Sequence, residues 1–245
     1  MKIQGSTVLI SGSASGIGLA CAQRFAELGA TVIGIDNNNE LVGSLAVDFR
    51  LLTCDASNLE QVTQLFSTLS ADDCLPDVLI NNASILKDQA LVSKLGKKIR
   101  KHSLEDWEQT LASNLTSTFL LGREFAATLI ERRSPGVIVN TSSVVRTGNP
   151  GQTAYSATKA AVEAMTNTWA QELSIYKIRV SAIAHGFAET GMTQNIPPLF
   201  RKRILNSSTV QRFAEVDELV HGIQFLVENE YFAGRVLSLD GGMRF

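Results

Sequence analysis

Seven short apolar runs, separated by longer stretches of helical period, limit what this chain can fold into more than any other feature. They are Thr7–Ser11, Thr31–Asp36, Arg50–Cys54, Val78–Asn81, Val137–Ser142, Arg179–Ile183 and Arg235–Leu239. Most are continuous rather than alternating, as strands are when both faces of a parallel sheet are covered. Ser57-Asn-Leu-Glu60 and Ser103-Leu-Glu-Asp106 have capping-box spacing and open two of the intervening helices. The pattern predicts an α/β fold: one doubly wound, seven-stranded parallel sheet with helices on both faces. A length of 245 residues fits one large α/β domain or two small ones, and seven strands at this regular spacing leave room only for the first, a single domain over residues 1–245.

The first run passes into Ser11-Gly12-Ser-Ala-Ser-Gly16-Ile-Gly18. Glycines at a strand-to-helix turn let backbone approach a phosphate, and the helix N-terminus offers free N–H groups. The spacing is neither the G-x-G-x-x-G of longer dehydrogenases nor a P-loop. The second run ends at Asp36, where a carboxylate can accept from both ribose hydroxyls of an adenosine and repel a 2′-phosphate. With no positive charge at Ser15 or Asn37, the reading is NAD rather than NADP. Asp55, ending the third run, either meets the adenine amino group or serves its own turn.

Tyr155 and Lys159 lie one helical turn apart on one face. A cation beside a phenol favours the phenolate, which makes the pair a candidate acid/base. Hydrophobic residues make up 44% and charged residues 19%, as in an ordinary soluble domain, and the formal net charge of −2 argues against non-specific nucleic-acid binding. No apolar run reaches the ~18 residues that span a membrane. Cys21, Cys54 and Cys74 show no C-x-x-C spacing and no His/Cys/Asp cluster suggests a metal, so reduced thiols and a cytoplasmic location are expected.

Together these residues resemble the short-chain dehydrogenase/reductase family over nearly the whole chain. Asn81-Asn82-Ala83-Ser84 is similar to its Asn-Asn-Ala-Gly stretch, with serine for the last glycine. Asn114 falls at its helix asparagine, Tyr155 and Lys159 match its Tyr-x-x-x-Lys motif, and Asp240-Gly241-Gly242 resembles its usual ending. The resemblance implies a Rossmann domain in which Asn114, Ser143, Tyr155 and Lys159 are catalytic. It places cofactor contacts at Gly12, Ser15, Gly16, Ile17, Gly18, Asp36, Asp55, Ala56, Asn82, Ala83, Tyr155, Lys159, Gly186, Ala188 and Thr190. Tyr155 would exchange a proton with the substrate oxygen and Lys159 would lower its pKa. Ser143 would hold that oxygen, and Asn114 would support a water linking Lys159 to solvent. Strand alternation puts Ser143 on the face of Val137, Val139 and Thr141, whereas counting back thirteen residues from Tyr155 lands on Ser142, the alternative serine.

A second departure stands after the sixth run. The family's usual Pro-Gly is here His185-Gly186, which frees the backbone and adds a side chain that could titrate near neutrality or have no chemical role. Substrate choice is expected in the less family-like parts. These are a basic insertion at about 85–103, a solvated hairpin or loop that could also dock an acidic partner, and a lid at about 188–212. The lid's apolar Met192, Ile196, Pro197, Pro198, Leu199 and Phe200 could equally be the packing side of a surface helix. The pattern is most similar to 3-oxoacyl-thioester reductases, with NADH, a small-molecule substrate, an acyl-carrier protein and a homotetramer or homodimer implied. A general alcohol, steroid or sugar dehydrogenase is the alternative, and an NAD-binding redox sensor or scaffold the non-enzyme one.

Overall fold

The computed structural model describes residues 1–191, 193 and 196–243. The chain alternates from its start: β1 (Thr7–Ser11), α1 (Gly16–Glu27), β2 (Thr31–Asp36), α2 (Asn39–Ser44), β3 (Arg50–Thr53), α3 (Leu59–Ala71) and β4 (Val78–Asn81). A hairpin of β5 (Val92–Leu95) and β6 (Lys98–Lys101) then intervenes before α4 (Leu104–Leu111) and α5 (Ser117–Glu131). The rhythm resumes with β7 (Gly136–Ser143), α6 (Thr153–Glu172), β8 (Ile178–His185), α7 (Pro198–Ser207), α8 (Val216–Glu228) and β9 (Val236–Leu239). Seven strands form one parallel sheet in the order β3-β2-β1-β4-β7-β8-β9. The order reverses between β1 and β4, and a crevice opens beyond the strand ends at such a reversal.

The period of two along each strand divides the core into two layers. Val8 and Ile10 pack with Cys21 and Phe25 of α1 and Val220 and Ile223 of α8. Leu9, between them in sequence, packs on the opposite face with Leu65 and Leu69 of α3 and Leu121 and Phe125 of α5. Because both faces are covered, the strands read as unbroken apolar runs. The predicted strands hold to within a few residues, with β7 reaching Ser143 and β8 reaching His185. No described helix is long and apolar enough to cross a membrane.

The helix starts differ in one instructive case. α3 is capped by Asn58, whose Oδ1 accepts from the Gln61 N–H at 3.1 Å, and not by Ser57. Asp55 explains the shift: its Oδ1 accepts from both the N–H (2.9 Å) and the hydroxyl (2.7 Å) of Ser57. Ser103 does cap α4, accepting from the Asp106 N–H at 3.3 Å. The Asp106 carboxylate turns away to Gln89 and to Lys87 rather than closing the box. α4 and α5 are joined by a π-helical turn, Ala112–Thr116, which carries Asn114.

Candidate active site

At the β1–α1 turn the glycines are required by what surrounds them. A Cβ on Gly18 would stand 2.0 Å from the Gly12 carbonyl oxygen, and one on Gly12 would stand 2.8 Å from the Ala83 Cα. At Gly16, with φ of +53°, a Cβ would meet nothing nearer than the Thr190 methyl at 4.0 Å among the described residues. The turn is thus packed on one side against the segment that follows β4 and is open on the other, a cradle that suits a dinucleotide's phosphates. Asp36 braces it, its Oδ2 accepting from the Ala14 N–H (3.2 Å) and its Oδ1 from the Asn38 N–H (3.1 Å). Ser11 ties β1 to the β4 exit by accepting through Oγ from the N–H groups of Asn82 and Ala83, each at 3.1 Å.

A cleft of about 1120 Å³ runs from this turn across the sheet's strand ends. Asp36, Asp55 and Ala56 line one end, and Ser143, Tyr155, Lys159 and His185 the other. Ser15, Gly16, Ile17, Asn82, Ala83, Gly186, Ala188 and Thr190 lie along it. Gly18 is packed behind the turn and Asn114 is buried behind the wall. Among the described lining residues the one basic side chain of the lysine/arginine type is Lys159. Asp55 spends its Oδ1 on Ser57, so the turn role is realised, while its position on the cleft leaves the adenine role open.

The reaction end is built from the termini of three elements. α6 presents Tyr155 and Lys159 on one face, and the Lys159 Nζ sits 5.4 Å from the Tyr155 ring centre. Lys159 is 2% exposed and donates to the Thr141 carbonyl at 2.8 Å. Burial lowers its pKa to about 8. Burial also raises the pKa of Tyr155 and the charge of Asp88 adds to this, while the hydroxyls of Ser84 and Ser143 beside it pull the other way. The sequence reading has Lys159 lowering the phenol's pKa; in the cleft as it stands desolvation is the largest influence and keeps the phenol protonated. Alternation along β7 separates the two serines. Ser143 faces the cleft, whereas Ser142 points away and donates to the Glu163 carboxylate at 2.7 Å, so the alternative serine falls.

Asn114 clamps the segment after β4. Its Oδ1 accepts from the Ile85 N–H (2.8 Å) and its Nδ2 donates to the Ile85 carbonyl (3.0 Å). His185 pairs in register with Ser143 and lines the cleft. Its Nδ1 lies 2.7 Å from the Gly186 carbonyl, which fixes that nitrogen as the donor in the neutral ring. The ring is partly accessible, yet enough protein surrounds it, with Lys159 nearby, to lower its pKa to about 4. It is neutral at pH 7, so titration near neutrality is corrected too. The sequence reading gave no role to Gln152, whose Nε2 donates to both carboxylate oxygens of Asp88 at 3.0 and 3.1 Å. Of the lid, Ile196, Pro197, Phe200 and Ile204 line the cleft and Met192 lies outside the described residues.

Comparison with known proteins adds relatives to this geometry. A family model described as enoyl-(acyl carrier protein) reductase matches residues 12–244. The chain is 38% identical to the 3-oxoacyl-(acyl-carrier-protein) reductase FabG of Thermotoga maritima, covering 99% of each. It is 33% identical to the protein of that name from Aquifex aeolicus, again over 99% of each. Among solved structures, a "putative gluconate dehydrogenase" from Agrobacterium tumefaciens superposes with a TM-score of 0.89 at 27% identity, over 99% of this chain and 97% of that one. Dinucleotide turn, Tyr155–Lys159 pair and relatives agree: the chain belongs to the short-chain dehydrogenase/reductase family and is an oxidoreductase acting on CH–OH groups with a nicotinamide cofactor.

Proposed function

We propose that this protein is a cytoplasmic NADH-dependent reductase of 3-oxoacyl thioesters. The observation that carries the reading is the meeting of Ser143, Tyr155 and Lys159 at one end of the cleft that holds the glycine turn and Asp36 at the other. A phenol with a hydroxyl beside it and a buried cation 5.4 Å from its ring can exchange a proton with a substrate oxygen. That suits the interconversion of a carbonyl and an alcohol. The nicotinamide supplies the hydride when bound. Gly12, Gly16 and Asn82 would cradle its dinucleotide, Asp36 the adenosine ribose, and Gly186, Ala188 and Thr190 the far end. Ser143 and Tyr155 hold the substrate oxygen, and Tyr155 passes its proton to that oxygen as negative charge develops there. Lys159 then stabilises the phenolate left behind.

Asp36 supports NADH, because its carboxylate stands at the adenosine end and no described lysine or arginine lines that end. The names of the FabG relatives support a carrier-bound substrate. So does the hairpin: Lys94, Lys97, Lys98, Arg100 and Lys101 are exposed on it alongside exposed Val92, Leu95 and Ile99. An acidic carrier protein with an apolar acyl cargo is complementary to such a surface. A two-stranded hairpin is marginal alone and gains from a partner. A homodimer or homotetramer belongs to the same proposal, with the exposed Phe119 of α5 available to an interface. A second reading, dehydrogenation of a sugar or other alcohol, is favoured by the likeness to the gluconate dehydrogenase structure. The test is turnover of both nicotinamide cofactors, NADH and NADPH with 3-oxoacyl thioesters and simple ketones and NAD and NADP with sugars and sugar acids, using wild type and Tyr155→Phe. Thioester turnover that needs Tyr155 supports the reading; turnover confined to sugars or sugar acids overturns it.

A further inference from the structure

Ser84 stands where the family pattern has glycine, and its hydroxyl is in an unusual position. Its Oγ is shut off from solvent and, although it stands beside the Tyr155 hydroxyl, makes no hydrogen bond of full geometry to any described residue. A buried hydroxyl left unpaired calls for a reason. The residue lines the cleft and faces the Tyr155 phenol. It is also held in place on both sides. Upstream, Asn82 and Ala83 are bonded to Ser11, and Asn82 also donates through Nδ2 to the Gly12 carbonyl at 3.2 Å. Downstream, Ile85 is bonded twice to Asn114. So fixed a backbone holds the Ser84 Cβ in one place beside the phenol.

We propose that Ser84 is a positioning residue for the acid, donating a hydrogen bond to the Tyr155 oxygen whenever that oxygen is a phenolate. This rests on the assignment of Tyr155 made above. Ser143, the other hydroxyl beside the phenol, accepts from the Val145 N–H at 3.4 Å and is taken up by the substrate oxygen in the reaction. Ser84 is then the donor left for the phenolate. The charged and titratable groups around the phenol are Lys159 from α6, Asp88 from the segment after β4, and His185 from β8 beyond Lys159. None of them changes in a Ser84 variant, so a shift in the phenol's titration reports the hydroxyl alone.

The experiment is the pH dependence of kcat/KM for oxidation of a 3-hydroxyacyl N-acetylcysteamine thioester at saturating cofactor. Oxidation needs the phenolate, so it falls away on the acidic side as Tyr155 is protonated. A hydrogen bond to the charged form favours it, and removing the donor raises the phenol's pKa. In Ser84→Ala and Ser84→Gly the acidic limb moves to higher pH by about one unit, while Ser84→Thr keeps the wild-type midpoint. Tyrosinate absorbance against Tyr155→Phe reads the same phenol without turnover and is expected to move in the same sense. Unchanged midpoints in both alanine and glycine variants, with Tyr155→Phe inactive, overturn the role of Ser84 and leave that of Tyr155 standing. An active Tyr155→Phe overturns both.

Discussion

Lys159 is charged at neutral pH and almost wholly buried; among the described residues its ammonium donates to the Thr141 carbonyl, lies over the Tyr155 ring and pairs with no carboxylate. Replacing it with methionine, of similar length and no charge, is expected to stabilise the cofactor-free protein. Burial lowers the amine from 10.5 to about 8. At 1.36 kcal/mol per unit, that corresponds to about 3 kcal/mol spent in the folded state below pH 8. Leaving the Thr141 carbonyl unpaired returns about 1 kcal/mol of this. The net is about 2 kcal/mol at pH 7, or ~4–8 °C in melting temperature for a chain of this size. The sign follows from linkage. Between pH 8 and 10.5 the unfolded chain holds the proton and the folded one does not, so wild-type stability rises with pH across that window. The advantage of Lys159→Met therefore shrinks as pH rises towards 10. Urea melts of both proteins without cofactor, at pH 7 and pH 9.5, measure it, and turnover is lost in the variant throughout. A variant less stable than wild type at pH 7, or a gap that does not narrow at pH 9.5, would refute the reasoning.

Further outcomes follow from the cleft. Gly18→Ala puts a methyl 2.0 Å from the Gly12 carbonyl, so urea melts should show a loss of about 2 kcal/mol or more; Gly16→Ala has room but a left-handed φ, and should cost about 1 kcal/mol while nucleotide affinity, read by NADH fluorescence, drops more sharply. Asp36→Ala should raise relative kcat/KM for NADPH over NADH by about tenfold or more, since it removes the charge that repels a 2′-phosphate; a wild type that already prefers NADPH contradicts the cofactor assignment. His185, with its pKa lowered to about 4, must stay neutral to fold, so stability contributed by the neutral ring is lost as pH falls from 6.5 towards 4, and thermal melts of His185→Gln should show a flatter slope over that window. Reversing Lys97, Lys98 and Arg100 to glutamate should raise KM for an acyl-carrier substrate severalfold and leave that for a small thioester mimic unchanged.

The sheet was legible in the sequence because burial on both faces removes polar residues from the strands, and that leaves a continuous apolar signature. The serine was legible for the related reason that period two along β7 puts Ser142 and Ser143 on opposite faces. The cap of α3 was not, because Ser57 and Asn58 are both good caps and the contest is decided by Asp55, whose carboxylate claims the serine. The π-helical turn at Ala112–Thr116 leaves no mark in composition; it carries Asn114, whose Oδ1 accepts from the Ile85 N–H, a partner 29 residues away. Nor does the Tyr155–Lys159 spacing disclose how dry the pair is, which sets the direction of both pKa shifts. Ser84 was visible as a departure from the family pattern, but only the fold reveals that its hydroxyl is enclosed.

The anchoring of the hairpin bears on anyone who would graft parts between relatives. The insertion reads as a detachable module, but its root is not one. Gln89 bridges to Gln152, three residues before Tyr155, and also accepts from the Ser103 N–H at 2.9 Å. Asp88 is gripped by Gln152, and Ile85 by Asn114. The strands part company with the reaction centre only beyond the bond from the His102 N–H to the Leu91 carbonyl. A chimaera cut between Leu91 and His102 exchanges a surface; one cut at Ile85 exchanges the scaffolding around Tyr155 itself.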